Sequence, residues 1–334
     1  MTESSNGAGI HSLVGRSRDD DDDNGDNDEK EEQELKIHEA VTPQDVEEAL
    51  AQGESIEARD FSNRTPLLIA CEDGNLQLVD FLLRNGANVN TVGCDPLFYD
   101  AEMNALHLAS SSGHIDIVKR LLCDERVDLN FPNPDGTTAL MFASREGHID
   151  VVDLLIQHGA NVNACEYNGG QTALFQACSK GEEEVVETLL SRGADPNALE
   201  GDGGSAIMEA CFVGSLEIVN KLIEHGADFM RPYFHGLTPL MIACRWGHLD
   251  LVVRLCEIGA HVDAIDLEGK TALMKACSHD HLSVVQHLLF VNADTEIESF
   301  DGLKAIDLAE SDDIIRILSG LILLSFHHRH HHVP

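Results

Sequence analysis

The sequence predicts an all-α repeat solenoid, and three observations carry that prediction. A string of the form Thr-Ala/Pro-Leu/Ile-x-x-Ala-Cys/Ser recurs from anchors at Thr65, Asn104, Thr138, Thr172, Ser205, Thr238 and Thr271, with a fading copy at Lys304. The spacings between anchors are 39, 34, 34, 33, 33, 33 and 33 residues. Each period holds two apolar patterns of helical type and ends in a connector rich in Gly, Asn and Asp. One helix pair cannot bury its apolar face alone, so a fixed period of this length marks units that stack on one another.

Residues 1 to 34 precede the array. They are rich in Gly, Ser, Asn and Asp, and Asp19 to Glu34 hold eleven acidic side chains against one lysine. Such a segment cannot bury enough apolar area to offset its ordering entropy, so it is expected to be a disordered tail. It is read as a solubilising leader. The alternative is a phosphorylated tail, since Ser17 has Asp20 three residues on.

From Leu35 the pattern turns helical: LKIHEAV, a break at Thr42 and Pro43, then DVEEALAQG. Thr42 suits an N-cap, Pro43 suits the first helical position, and Gly53 closes the second helix. The charged Lys36, Glu39, Glu47 and Glu48 suit a terminal unit, one side of which has no neighbour.

The central units share one grammar. In the copy at 238, Thr238 caps a first helix and Pro239 takes the slot where its missing N–H goes unnoticed. Gly247 ends that helix, His248 to Ile258 form the second, Gly259 ends it, and Asp266 to Gly269 turn a projecting finger. GLTPLMIACRWGHLDLVVRLCEIGAHVDAIDLEG, residues 236 to 269, resembles an ankyrin repeat, and the resemblance spans roughly residues 35 to 318. It implies helix-turn-helix repeats joined by β-hairpin-like fingers, with a solenoid over residues 35–319 and capping units near 35 and 304.

Two regions depart from the repeat. Between the copies at 65 and 104 the finger is about six residues longer and carries Leu97, Phe98 and Tyr99 where other copies have polar turn residues. Binding and simple drift are both open there. After the last unit, LKAIDLAESDDIIRIL, comes GLILLSFHHRHHHVP, so residues 320–334 are set apart as a His-rich tail. A truncated or alternatively spliced end, an apolar strip folded back on the last repeat, and a metal-binding tract are the readings, in that order.

Composition narrows the function. The net charge is −37, and residues 1 to 36 hold only twelve acidic against four basic side chains, so most of the excess sits on the repeats. A body of that charge repels phosphate backbones and anionic lipid and favours a basic or amphipathic protein or peptide. Cys71, Cys178, Cys211, Cys244 and Cys277 share one repeat position and read as packing residues, about one interhelical distance apart and too far for disulfides. A reducing compartment follows, cytoplasm or nucleus. No secretory leader is visible, and the apolar stretch from Ile314 to Phe326 is broken by Arg316, Ser319 and Gly320.

No catalytic constellation stands out. The sequence has no G-x-S-x-G, no G-x-x-x-x-G-K-[ST] and no H-E-x-x-H. His114, His148, His248 and His281 follow a glycine at the entry to second helices, where the resemblance implies that they tie turns together. The expectation is a non-enzymatic, monomeric scaffold or adaptor with no cofactor, metal site or nucleic-acid partner. The alternative is the substrate-recognition module of a larger effector, such as a ubiquitin-ligase receptor or a kinase.

The resemblance also implies where a partner sits: on finger tips and at the exposed end of the first helices, along a concave wall. At those positions the sequence places Tyr167, Phe212, Val213, Phe234, Leu237 and Trp246, flanked by Arg145, Lys180 and Arg245. Tyr167, Phe212, Phe234 and Trp246 are expected to form one aromatic stripe; ordinary packing between fingers is the rival reading. The chain has one Trp and three Tyr, and Trp, Tyr and Arg are enriched at binding hot spots. The fifth helix position, Ile69, Leu108, Phe142, Gln176, Glu209, Ile242 and Lys275, is expected to be partly exposed on the wall. Asn90, Asn163 and Asn197 match finger asparagines that are hydroxylated in the resembled family.

Overall fold

The computed structural model describes residues 36–95, 101–201 and 203–329. The acidic run, residues 97 to 99 of the long finger and the last histidines lie outside the described residues.

A 3-10 turn, Ile37–Glu39, and α1, Pro43–Ala51, form the first unit. The Thr42 hydroxyl accepts from the Asp45 N–H at 3.2 Å, while the Asp45 carboxylate accepts from the Thr42 N–H at 2.7 Å. The stretch before Pro43 is a single turn where a first helix was expected; a residue preceding proline is pushed out of the helical region.

Seven helix pairs follow: α2, Pro66–Glu72, with α3, Leu76–Arg84; α4, Ala105–Ser111, with α5, Ile115–Leu122; and α6, Ala139–Arg145, with α7, Ile149–Gln157. Next come α8, Ala173–Lys180, with α9, Glu183–Ser191, and α10, Ala206–Val213, with α11, Leu216–Glu224. The last two are α12, Pro239–Trp246, with α13, Leu249–Glu257, and α14, Ala272–Ser278, with α15, Leu282–Phe290. Each first helix packs on the first helices before and after it, and each second helix does likewise. The result is one continuous apolar core from Ile37 to Leu318, in which the alanine of each first helix and the cysteine that follows it, or the serine in α4 and α6, are fully covered.

The long finger contains a two-stranded antiparallel ladder, β1 Gly93–Asp95 with β2 Ala101–Met103, in which Cys94 faces Glu102. The closing unit has a 3-10 turn, Ala305–Leu308, and α16, Asp312–Arg329. The expected boundary at 319/320 falls inside this helix, which runs through Gly320; a single glycine weakens a helix without ending it. No described helix is long and apolar enough to cross a membrane.

Candidate partner-binding surface

Two local devices hold the repeats in register. In the first, a second-helix N-terminal histidine reaches back to the preceding repeat: Nε2 of His114, His148, His248 and His281 donates to the carbonyls of Glu72, Ser111, Phe212 and Arg245 at 2.9, 2.8, 3.3 and 2.9 Å. The glycine beneath each ring is required twice. Gly247 sits at φ +77°, and a Cβ there would run into the His281 ring. The structure thus gives these histidines the tying role that the resemblance implies.

In the second device, a polar side chain at the start of a finger bonds the next repeat. Asn163 donates to Gly193 O at 3.1 Å and accepts from Asp195 N at 2.9 Å; Asn197 donates to Gly226 O at 2.9 Å and accepts from Asp228 N at 2.8 Å. Asn90 donates to Arg126 O at 2.8 Å. All three candidate hydroxylation positions are therefore engaged carboxamides.

The five first-helix cysteines are buried and free of disulfides. Burial raises their thiols, Cys211 and Cys277 to about 12, so these groups stay protonated and act as packing. No cluster of three or more His, Cys, Asp or Glu residues suited to a metal ion occurs among the described residues.

The expected site residues divide into two rows. Phe212, Val213, Arg245 and Trp246 sit at the C-terminal ends of α10 and α12, just before Gly214 and Gly247, whose left-handed conformation ends each helix. Trp246 is 54 % exposed and Val213 44 %. The Phe212 and Trp246 rings meet edge-on, centroids 6.3 Å apart and planes at 70°. Lys180 ends α8 and is exposed; Arg145 ends α6, half-buried, with Glu146 at 3.4 Å.

Tyr167 and Phe234 belong to the other row, the finger tips. Phe61, Tyr167, Phe234, Leu267 and Phe300 occupy the same tip position and are all exposed. Tips are joined through backbone: Tyr167 N–H donates to Asp135 O at 2.8 Å, Leu267 N–H to His235 O at 2.7 Å, and Phe300 N–H to Glu268 O at 3.0 Å. The four aromatics of the expected stripe thus fall in two rows, and among the described residues the only ring contact between them is Phe212 with Trp246. Leu237 is half-buried and packs on the core, since the residue before a capping threonine points back under the finger.

Between the rows lies a polar strip. Leu108, Phe142 and Ile242 at the fifth position are buried by neighbouring first helices, which corrects the expectation for them; Ile69, Gln176, Glu209 and Lys275 are partly exposed. Lys275 Nζ reaches Asp266 Oδ2 at 2.6 Å. Burial, with Glu200 nearby, raises the Glu209 carboxyl. Burial also raises that of Glu166, which accepts from the Thr137 hydroxyl at 2.9 Å and the Gln176 amide at 3.3 Å. Such carboxylates stand to gain from an incoming cation.

The sequence reading passed over His107. It is buried between the rings of Phe131 and Phe142, accepts from Asn104 N–H at 3.3 Å and bonds Phe131 O at 2.9 Å. Burial lowers its imidazole to about 4, so it is neutral and structural. The signal was present, as the only histidine at the third first-helix position.

A quasi-one-dimensional stack of helix pairs, its variable residues gathered on finger tips and helix ends, defines a repeat array that presents a surface. The sequence matches the family described as ankyrin repeats (3 copies) over residues 37–130, 106–200, 164–233 and 207–301. The chain belongs to the ankyrin-repeat family. The crystal structure of the human ASB11 ankyrin repeat domain is similar, with a TM-score of 0.60 and 28 % identity, covering 65 % of this chain and 97 % of that one. Among curated proteins, the fowlpox virus ankyrin repeat protein FPV244 is 35 % identical over 81 residues, 24 % of this chain and 11 % of that protein. Palmitoyltransferase AKR1 of Lachancea kluyveri is 37 % identical over 83 residues, 24 % of this chain and 10 % of that protein. The matched segments thus span about a tenth of these relatives, and ankyrin repeats are in general protein-interaction modules.

Proposed function

We propose that this chain is a non-enzymatic scaffold that holds a protein or peptide segment across the finger tips and the ends of its first helices, centred on the repeats between residues 165 and 280. The observation that carries the reading is the pair of exposed rows, above all Trp246 against Phe212. An indole left about half in water beside a second aromatic ring, with Arg245 and Lys180 near it in the repeat order, has the composition of a binding hot spot. The net charge of −37 and the raised carboxyls of Glu166 and Glu209 favour a basic or amphipathic partner. Nucleic acid and anionic membrane are disfavoured for the same reason. The chain is proposed to act as a monomer in a reducing compartment, cytoplasm or nucleus, where exposed Cys123 and Cys165 stay as thiols.

A second reading has one observation in its favour. Because the matches cover about a tenth of longer proteins, the array also suits a recognition module that serves a larger effector. Affinity capture with the full chain, compared with a Phe212→Ala/Trp246→Ala double variant and read by mass spectrometry, tests the surface. Partners captured equally by both proteins would remove it.

A further inference from the structure

The bond from each finger to the next repeat is made at six of the seven joints among the described residues. The contributing side chains are Glu57, which accepts from Asn88 N at 2.7 Å; Asn90; Asn130, which accepts from Asn161 N at 2.8 Å; Asn163; Asn197; and Asp263, which accepts from Asp294 N at 2.9 Å. At the seventh joint the position is Met230. A thioether can neither donate to Gly259 O nor offer the His261 N–H a good acceptor, and no other described residue bonds either group. The joint has lost its carboxamide and kept the donor and acceptor that a carboxamide would join.

An apolar pocket of about 370 Å³ opens at this joint, lined by Phe229, Met230, Pro232, Leu240, Ala264 and Ile265. Pockets of roughly 300–1,000 Å³ accept organic ligands, and this one is of a size for one or two large side chains. Its floor is covered by core residues such as Leu240, while Ile265 at the rim is half exposed.

We infer that this joint is a docking site for an extended peptide carrying a bulky apolar residue flanked by Lys or Arg. The occupant follows from three features. One residue of an extended strand presents its own N–H and C=O on the same edge, the pair that the carboxamides of Asn163 and Asn197 offer at their joints, so it can bridge His261 N–H and Gly259 O where Met230 cannot. The adjacent side chain then enters the apolar pocket. The flanking charge is set by Asp228 and Asp263, which border the joint and outnumber Arg231 between them, on a chain of net charge −37. The inference rests on the array being a protein-binding surface, but it uses residues distinct from Phe212 and Trp246.

The test uses the full chain as bait for a displayed library of random dodecapeptides. Selected peptides are then synthesised and measured by fluorescence anisotropy against wild type, Met230→Asn and Trp246→Ala. The M230N change restores the carboxamide and should leave the melting temperature unchanged or higher, so lost binding would not reflect unfolding. Ile265→Lys, at the half-exposed rim, is a second block on the same pocket. The expected result is peptides with an apolar residue between basic ones, weakened by roughly ten-fold or more in M230N and in Ile265→Lys and unaffected by Trp246→Ala. Peptides that bind M230N as tightly as wild type, or a library that yields none, would overturn the site. Peptides lost only in Trp246→Ala would overturn it and support the surface proposed above, whereas peptides indifferent to every variant would count against both.

Discussion

Trp246 packs edge-on against Phe212 of the preceding repeat, ring centroids 6.3 Å apart, while more than half of its surface stays open to solvent. The backbone beneath the pair is fixed, because His248, two residues after the indole, bonds the Phe212 carbonyl at 3.3 Å. The pair is therefore two exposed side chains on a rigid seat, so ordering them on binding costs little.

The array's quasi-one-dimensional energetics can be measured at Leu222, which is fully buried in α11. Leu222→Ala should cost about 2–5 kcal/mol and weaken the flanking repeats more than distant ones. Amide hydrogen exchange reads this out directly. A uniform loss of protection from the first unit to α16 would contradict a nearest-neighbour stack.

His107 sets a pH dependence. Its folded value of about 4 lies below the ordinary histidine range, so on acidification the unfolded chain takes up a proton before the folded one does. The contribution is fully present above about pH 6.5 and is lost as pH falls towards 4, up to about 3 kcal/mol. Urea titrations of wild type and His107→Gln at pH 7 and pH 4.5 should show the wild type's advantage shrinking at the lower pH. A constant gap would mean that the imidazole is not held neutral.

Glu209 has the opposite sign. Its folded carboxyl is raised by burial, so the stability it contributes is present below the unfolded value and is lost as pH rises through the folded one. At pH 7 the ionised group is a burden on the free array, and Glu209→Gln should melt at the same temperature or higher. A basic partner should bind the variant more weakly. A clear fall in melting temperature at pH 7 would show that the carboxylate makes a stabilising bond.

Much of this was legible in sequence. The period, the glycines at positive φ, the histidine ties and the buried cysteines all follow from residues that each repeat needs for its own geometry. The ends were less so: Ile37–Glu39 and Ala305–Leu308 are single 3-10 turns where helices were expected, because terminal units lack a neighbour on one side to stabilise a full first helix. The site was half legible. Variable positions identify Trp246 and Phe212 at helix ends and Tyr167 and Phe234 on finger tips, but pattern alone does not show that the two sets lie in separate rows rather than in one stripe. Met230 went unnoticed because a methionine in a connector looks unremarkable until the bonds of Asn163 and Asn197 show what it replaces.

The central claim, that the Trp246 end of α12 meets a partner, is tested most directly by the chain's single indole. Free protein should emit as a wet indole and shift to shorter wavelength when a captured partner is added. Trp246→Ala should cost about 2 kcal/mol or more of binding and less than about 1 kcal/mol of stability. Phe212→Ala should behave alike, and Glu72→Ala, at the matching position far along the array, should leave binding unchanged. An array that unfolds with Trp246→Ala, or a partner whose affinity and whose effect on the emission ignore the substitution, would contradict the account.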